Sequence, residues 1–318
     1  MKKELKNIRM GKTWLAYIGS MEGVLKNAGW WEGETFQLMG MTGLAFNYII
    51  HKTACPSSVT VYDWDRLHFN AMSRLGIYTD QLHMFNQPGN NVFKLAQTDA
   101  VEKIRESINN NRAVIAWAPT PVLEFGIISG YDDNEKIFHV IDCVNKNPDP
   151  LLFDNLGCTD VPILYIQRIL SKTELNKEQI YLKSLKFASK RWQYKHRNND
   201  YACGQQAYDY LIATLEEKTF NKFGLTYIIN VYHDTKESIY QYLNHLILDS
   251  RELQGLENPA RLYKDIASLF KNMTEITPFR GHEQSQIKDE KIPELIDLIK
   301  QAKDLETKAM DSINKVIE

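Results

Sequence analysis

The sequence predicts an α+β lobe with an antiparallel sheet over residues 1–170, followed by a mainly helical lobe over residues 171–318. Three observations predict it. Apolar residues recur at helical spacing ahead of residue 110, four short apolar runs bounded by turn residues lie between 113 and 166, and helical spacing returns after 170. With 318 residues, 43% hydrophobic and 25% charged, the chain is long enough to bury a full core.

In the first lobe the spacing predicts helices over 14–28, 36–50, 64–75 and 100–108. Strands are expected over 113–118, 124–129, 136–141 and 161–166, with Asp132-Asp133-Asn134-Glu135 as the turn between the middle pair, since Asp and Asn tolerate tight-turn geometry. After residue 170, helices are expected over 173–191, 204–217, 225–248, 259–271 and 293–317. The last places Leu295, Ile296, Ile299, Ala302, Leu305 and Ala309 on one face and charges on the other, which suits packing on a bundle rather than on a membrane. This helical lobe is expected to cover the cleft of the first.

A net charge of −2 leaves no basic excess to hold a phosphate backbone, so nucleic acid is not an expected partner. The N-terminal apolar stretch is interrupted by Glu22 and is too short and polar for a signal or membrane segment, so a cytoplasmic protein without a membrane partner is expected. Four cysteines, Cys55, Cys143, Cys158 and Cys203, show no close repeated spacing and read as reduced, mostly buried thiols. No cofactor is indicated.

Two motifs require more than ordinary packing. In Met39-Gly40-Met41-Thr42-Gly43-Leu44-Ala45-Phe46 two glycines three apart imply close backbone approach or a sharp helix entry, and Cys55-Pro56-Ser57-Ser58 follows shortly after. The second motif runs from Glu124 through Gly126, Gly130 and Tyr131, then from Phe138 to Asp142, and reads as a hairpin of buried strands.

These segments resemble the N-terminal domain family of the butirosin-biosynthesis acyltransferase, itself similar to the papain-like peptidases that trim bacteriocin leader peptides. The resemblance spans about residues 14–166. It implies a papain-like lobe and, in an active member, transfer of acyl groups from carrier-protein thioesters to amines, or peptide cleavage, in specialised metabolism. Such a lobe sets a cysteine at the start of its first core helix, a histidine on a strand and an acid on the next strand. Carried over residue by residue, Asp142 falls on the acid and Glu124 on the histidine. The cysteine region falls on Tyr17 to Ser20, where Ser20 is the one oxygen nucleophile.

Other residues compete for chemical roles. Cys203-Gly204 opens an expected helix, the arrangement that stabilises a thiolate, against a packing role for Cys203. His139 alternates onto the face of Ile141, opposite Asp142, and reads as structural. His51, Cys55 and His68 match no zinc spacing well, and His83, His196, His233, His245 and His282 are scattered. Glu22, Glu32, Glu34 and Glu124, with Tyr17, Trp30, Trp31, Trp117 and Phe125, fall in segments that would wall a papain-like cleft, and acidic groups with aromatic rings suit an amine-bearing ligand, against a solvated Trp-Glu-Gly-Glu loop for Glu32 and Glu34.

Two function classes follow. One is a degenerate papain-like protein that binds a small amine-, peptide- or acyl-type ligand without a Cys–His triad. The other is an acyl transferase or amide-forming enzyme using Glu124 with Asp142, or Cys203, on a substrate borne by an acyl carrier protein.

Overall fold

In the computed structural model, which describes residues 1–281 and 287–318, the chain divides by packing into two units. Unit 1 is Met1–Thr35 with Trp64–Glu174, and unit 2 is Phe36–Asp63 with Leu175–Glu318. Where the sequence suggests one boundary near 170, the chain passes between units three times. His282 lies outside the described residues.

The chain runs through β1 (Lys2–Glu4), α1 (Ala16–Asn27), α2 (Thr35–Met41), β2 (Ile49–His51), α3 (Trp64–Arg74), β3 (Ile77–Phe85) and α4 (Phe93–Asn109). Next come β4 (Val114–Trp117), β5 (Phe125–Asp132), β6 (Ile137–Ile141), β7 (Leu151–Leu152) and β8 (Ile163–Lys172). Five longer helices complete it, α5 (Lys177–Trp192), α6 (Gln205–Glu216), α7 (Lys222–Asp249), α8 (Glu257–Ile276) and α9 (Ile292–Ile317), with β9 (Tyr201–Cys203) ahead of α6.

Unit 1 is built on a sheet ordered β3-β8-β4-β5-β6-β7, antiparallel throughout, with β1 pairing to β5 beyond the end of β4. The expected α+β class is observed. Every residue of β5 is buried, because α1 packs against the strand and α4 also packs against it. Ile104 and Ile108 of α4 share a core with Val114, Ala116, Ile128 and Ile166. Strand alternation turns Ile115, Trp117, Phe125, Ile127, Tyr165 and Gln167 to the opposite face. Asp132 makes the expected turn by accepting from the Asn134 backbone at 2.9 Å.

Several elements differ from expectation. The helix expected over 100–108 starts at Phe93, and β8 continues to Lys172 because Tyr165, Gln167 and Arg168 pair along β3. The strand β3 itself is not evident from Ile-Tyr-Thr-Asp-Gln-Leu-His-Met-Phe, whose polar side chains are held by neighbours rather than by solvent.

Unit 2 is a helical assembly in which α7 packs on α8, α8 on α9, and α9 on α5 and α6. Asn176 and Asn221 cap α5 and α7 by accepting from Gln179 and Gly224 backbone amides at 3.4 and 2.7 Å. At its centre Lys236 Nζ meets Glu306 Oε1 at 2.7 Å with both side chains buried. Tyr263 donates to the same carboxylate at 2.9 Å, Tyr208 donates to its other oxygen, and the Tyr48 ring lies 4.5 Å from the ammonium. The helix expected over 36–50 is broken: α2 ends at Met41, and Gly43 turns at φ +76° before a short 3-10 turn and β2. Gly40 has no side chain because the Tyr242 ring occupies that space, where a Cβ would come within 2.1 Å.

Candidate functional site

Trp64 and His68, four residues apart on α3, share a helix face, and they meet the sheet face that carries Trp117, Phe125 and Tyr165. Tyr17 joins them from the first turn of α1, its ring stacked on His68 at 3.5 Å and edge-on to Phe125 at 5.2 Å. A polar chain threads these rings. Tyr17 donates to Gln167 Oε1 at 2.6 Å, Gln167 Nε2 donates to Thr79 Oγ1 at 3.2 Å, and His68 Nδ1 pairs with the Tyr165 hydroxyl at 2.8 Å. Burial, and then the nearby His83, hold His68 well below the ordinary imidazole range, so the ring is neutral.

His83, on β3, is anchored through Nδ1 to the Asp65 carboxylate at 2.9 Å and stacks on Trp64 at 5.5 Å. Its Nε2 is buried with no hydrogen-bond partner, and so is Nε1 of Trp117, whose ring lies 4.9 Å from Trp64. A donor and a ring nitrogen thus remain unanswered beside one tryptophan.

The hairpin end beside this box carries the residues that sequence reasoning emphasised. Glu124 immediately precedes β5, its carbonyl accepting at 2.8 Å from Ala118, a non-glycine residue held at φ +42°. Asp142 follows β6. Burial opposes its ionisation, but the Asn145 backbone and side chain, at 2.5 and 2.8 Å, and the Val144 backbone, at 2.7 Å, donate to it and leave the carboxyl below its usual range. Asp142 therefore holds the turn after β6. Cys143, next to it, is an exposed residue whose sulfur is sheltered: burial, then the charges of Glu124 and Asp142, push the thiol up to about 11. A cysteine beside two carboxylates is kept protonated, the reverse of activation.

The remaining candidates are dispersed. Ser20 is fully buried in α1, and its Oγ has no hydrogen-bond partner, so no base activates it. Glu22 is buried, paired to Lys26 at 2.6 Å and accepting from Thr35 at 2.7 Å, which accounts for the carboxylate within α1 and its flank. Glu34 is exposed just before α2. His139 lies on β6 with Nε2 buried and without a partner. His51 and Cys55 belong to unit 2 and His68 to unit 1, and among the described residues no three His, Cys, Asp or Glu side chains gather to hold a metal.

Of the two roles weighed for Cys203, thiolate and packing, its surroundings favour packing. The residue closes β9 in unit 2, one position before the helix N-cap, and is 1% exposed. Burial raises its thiol, and the nearby Arg191 opposes this without reversing it.

Sequence reasoning missed Trp64, His68, His83, Tyr165 and Gln167. The available signals were the aromatic pair at i and i+4 on α3, and an aromatic and an amide at alternate positions of β8. No family model matches the chain, and no curated protein matches it.

Proposed function

We infer that unit 1 is a noncovalent binding module for a small ligand of the amine, peptide or acyl type, with an amide group as the best fit. The observation that carries this reading is the pair of buried ring nitrogens, Trp117 Nε1 and His83 Nε2, without partners beside Trp64. With His83 Nδ1 directed to Asp65, Trp117 Nε1 donates and Nε2 of the Nδ1–H tautomer accepts, and an amide offers one acceptor and one donor to match. A buried polar group left unanswered costs about 1–3 kcal/mol, so a ligand that satisfies both gains what the free protein lacks. The surrounding rings supply apolar contact, and Glu124 at the hairpin end suits a charged amine on the same ligand.

The second reading, an acyl transferase acting on a carrier-protein thioester, rests on the resemblance of residues 14–166. Against it stand a Tyr17 phenol engaged by Gln167 and cysteines at 143 and 203 with raised thiols.

Intact-protein mass spectrometry after incubation with acyl thioesters, alongside titration of tryptophan fluorescence with small amides and amines, separates the two. The binding reading expects no adduct and a saturable quench that weakens about tenfold in Trp117→Phe, which keeps the ring and removes the donor. A stoichiometric adduct on one residue overturns it.

A further inference from the structure

Arg191, in the last turn of α5, is a buried cation without a carboxylate among the described residues. It is 7% exposed, no carboxylate among the described residues pairs with it, and its Nε has no hydrogen-bond partner there. Its one side-chain hydrogen bond runs from Nη2 to Cys203 Sγ at 3.5 Å, and its guanidinium lies 4.4 Å from the Tyr194 ring centroid. A neutral thiol and a ring face are weak replacements for an anion, and the partial negative charge of one helix end adds only a fraction of a charge. The desolvation cost of a buried guanidinium is several kcal/mol, so an arrangement of this kind is stable with an anion against it.

Cys203 links Arg191 to β9 and to the start of α6. Tyr201 and Cys203 stand two apart on β9 and share a face, and the Tyr201 hydroxyl pairs with Ser57 Oγ at 2.9 Å. Ser57 belongs to the Cys55-Pro56-Ser57-Ser58 motif, which the unit 1 site does not use, and it donates to Cys55 Sγ at 3.0 Å. Directly after Cys203, Gly204 takes φ +56° and ψ −127°, a conformation open to glycine, and starts α6 with no side-chain cap. The positive end of a twelve-residue helix thus begins one residue from the sulfur that Arg191 touches.

We propose that Arg191, with the start of α6, forms an oxyanion site in unit 2 that takes a phosphate or carboxylate group. The guanidinium edge bearing Nε supplies a charge-assisted hydrogen bond, and Cys203 remains a thiol beside the anion rather than attacking it.

The test is thermal unfolding of the full chain in potassium phosphate, potassium acetate and potassium chloride at matched ionic strength, for the wild type, Arg191→Met and Arg191→Lys. The wild type is expected to gain about 5 °C saturably in phosphate or acetate over chloride, the more effective salt identifying the group. Arg191→Met is expected to lose that gain and to be at least as stable as the wild type in chloride, since it removes an unanswered buried charge. Arg191→Lys keeps the charge and retains a weaker gain, which tests the site even if the methionine variant does not fold. Equal wild-type melting in all three salts, or an undiminished gain in either variant, overturns the proposal.

Discussion

The polar network beside the aromatic rings of unit 1 is neutral, whereas the one at the centre of unit 2 carries charge. In unit 1, Tyr17, His68, Tyr165, Gln167 and Thr79 satisfy one another through hydrogen bonds among uncharged groups. In unit 2, Lys236 and Glu306 form an ion pair inside the helices, supported by Tyr208 and Tyr263. A neutral network loses one hydrogen bond when a member is removed. A buried ion pair that loses one member leaves a charge with nowhere to go, so the two networks are expected to respond to single substitutions on different scales.

Glu306→Gln probes the larger effect. It strands the Lys236 ammonium and is expected to destabilise by about 3–5 kcal/mol in urea unfolding. Lys236→Met added to Glu306→Gln is expected to restore much of that loss, a coupling that a double-mutant cycle measures directly. Additive losses would place the stability of this region in the tyrosines and not in the ion pair.

Tyr17→Phe comes next, removing the bond to Gln167 while keeping the ring on His68. Its expected cost is about 1–2 kcal/mol by the same measurement. A loss as large as that of Glu306→Gln would erase the contrast between the two networks.

His68 gives a smaller, pH-dependent effect. Burial holds its folded-state pKa below the ordinary imidazole value of about 6.5, so the unfolded chain binds the extra proton first. The His68 contribution is complete above about pH 6.5 and is lost as pH falls below that value towards the folded pKa. The stability slope of the wild type in that window is expected to flatten in His68→Gln. An unchanged slope would assign the acid sensitivity to other groups.

Glu124→Gln is expected to change stability least, within about 0.5 kcal/mol, while weakening the binding of amine-bearing ligands. Unchanged binding with a large loss of stability would make Glu124 part of the hairpin architecture.

The helices of unit 2 were legible because long amphipathic repeats override local ambiguity, and α7, α8 and α9 lie where the periodicity places them. The strands β4 to β6 were legible as apolar runs with a turn between them. The three-residue strands β2 and β9 are shorter than any periodic signal, and they form because His51 pairs with Tyr201 across a long stretch of sequence. The apolar spacing of residues 36–50 also fits a helix, and only Gly43 and the ring of Tyr242 against Gly40 show why it stops. Site residues fared similarly. Glu124 and Asp142 stood out as polar residues at the ends of apolar runs, but Tyr17, His68 and Gln167 become a unit only when α1, α3 and β8 come together. Arg191 carried no signal at all, since an arginine near a helix end is ordinary until its missing counter-charge is seen.

The discontinuous path of unit 2 has a consequence for synthesis on the ribosome. Residues 36–63 emerge long before their partners, and β2 waits for Tyr201–Cys203, on the order of ten seconds or more at about 5–20 residues per second. During that interval Leu38, Met39, Leu44, Phe46, Ile49 and Ile50, all buried in the finished protein, have nothing to bury against. This nascent segment is where a chaperone would be recruited, and synonymous codons that slow translation between 64 and 200 would lengthen its exposure without altering a single side chain.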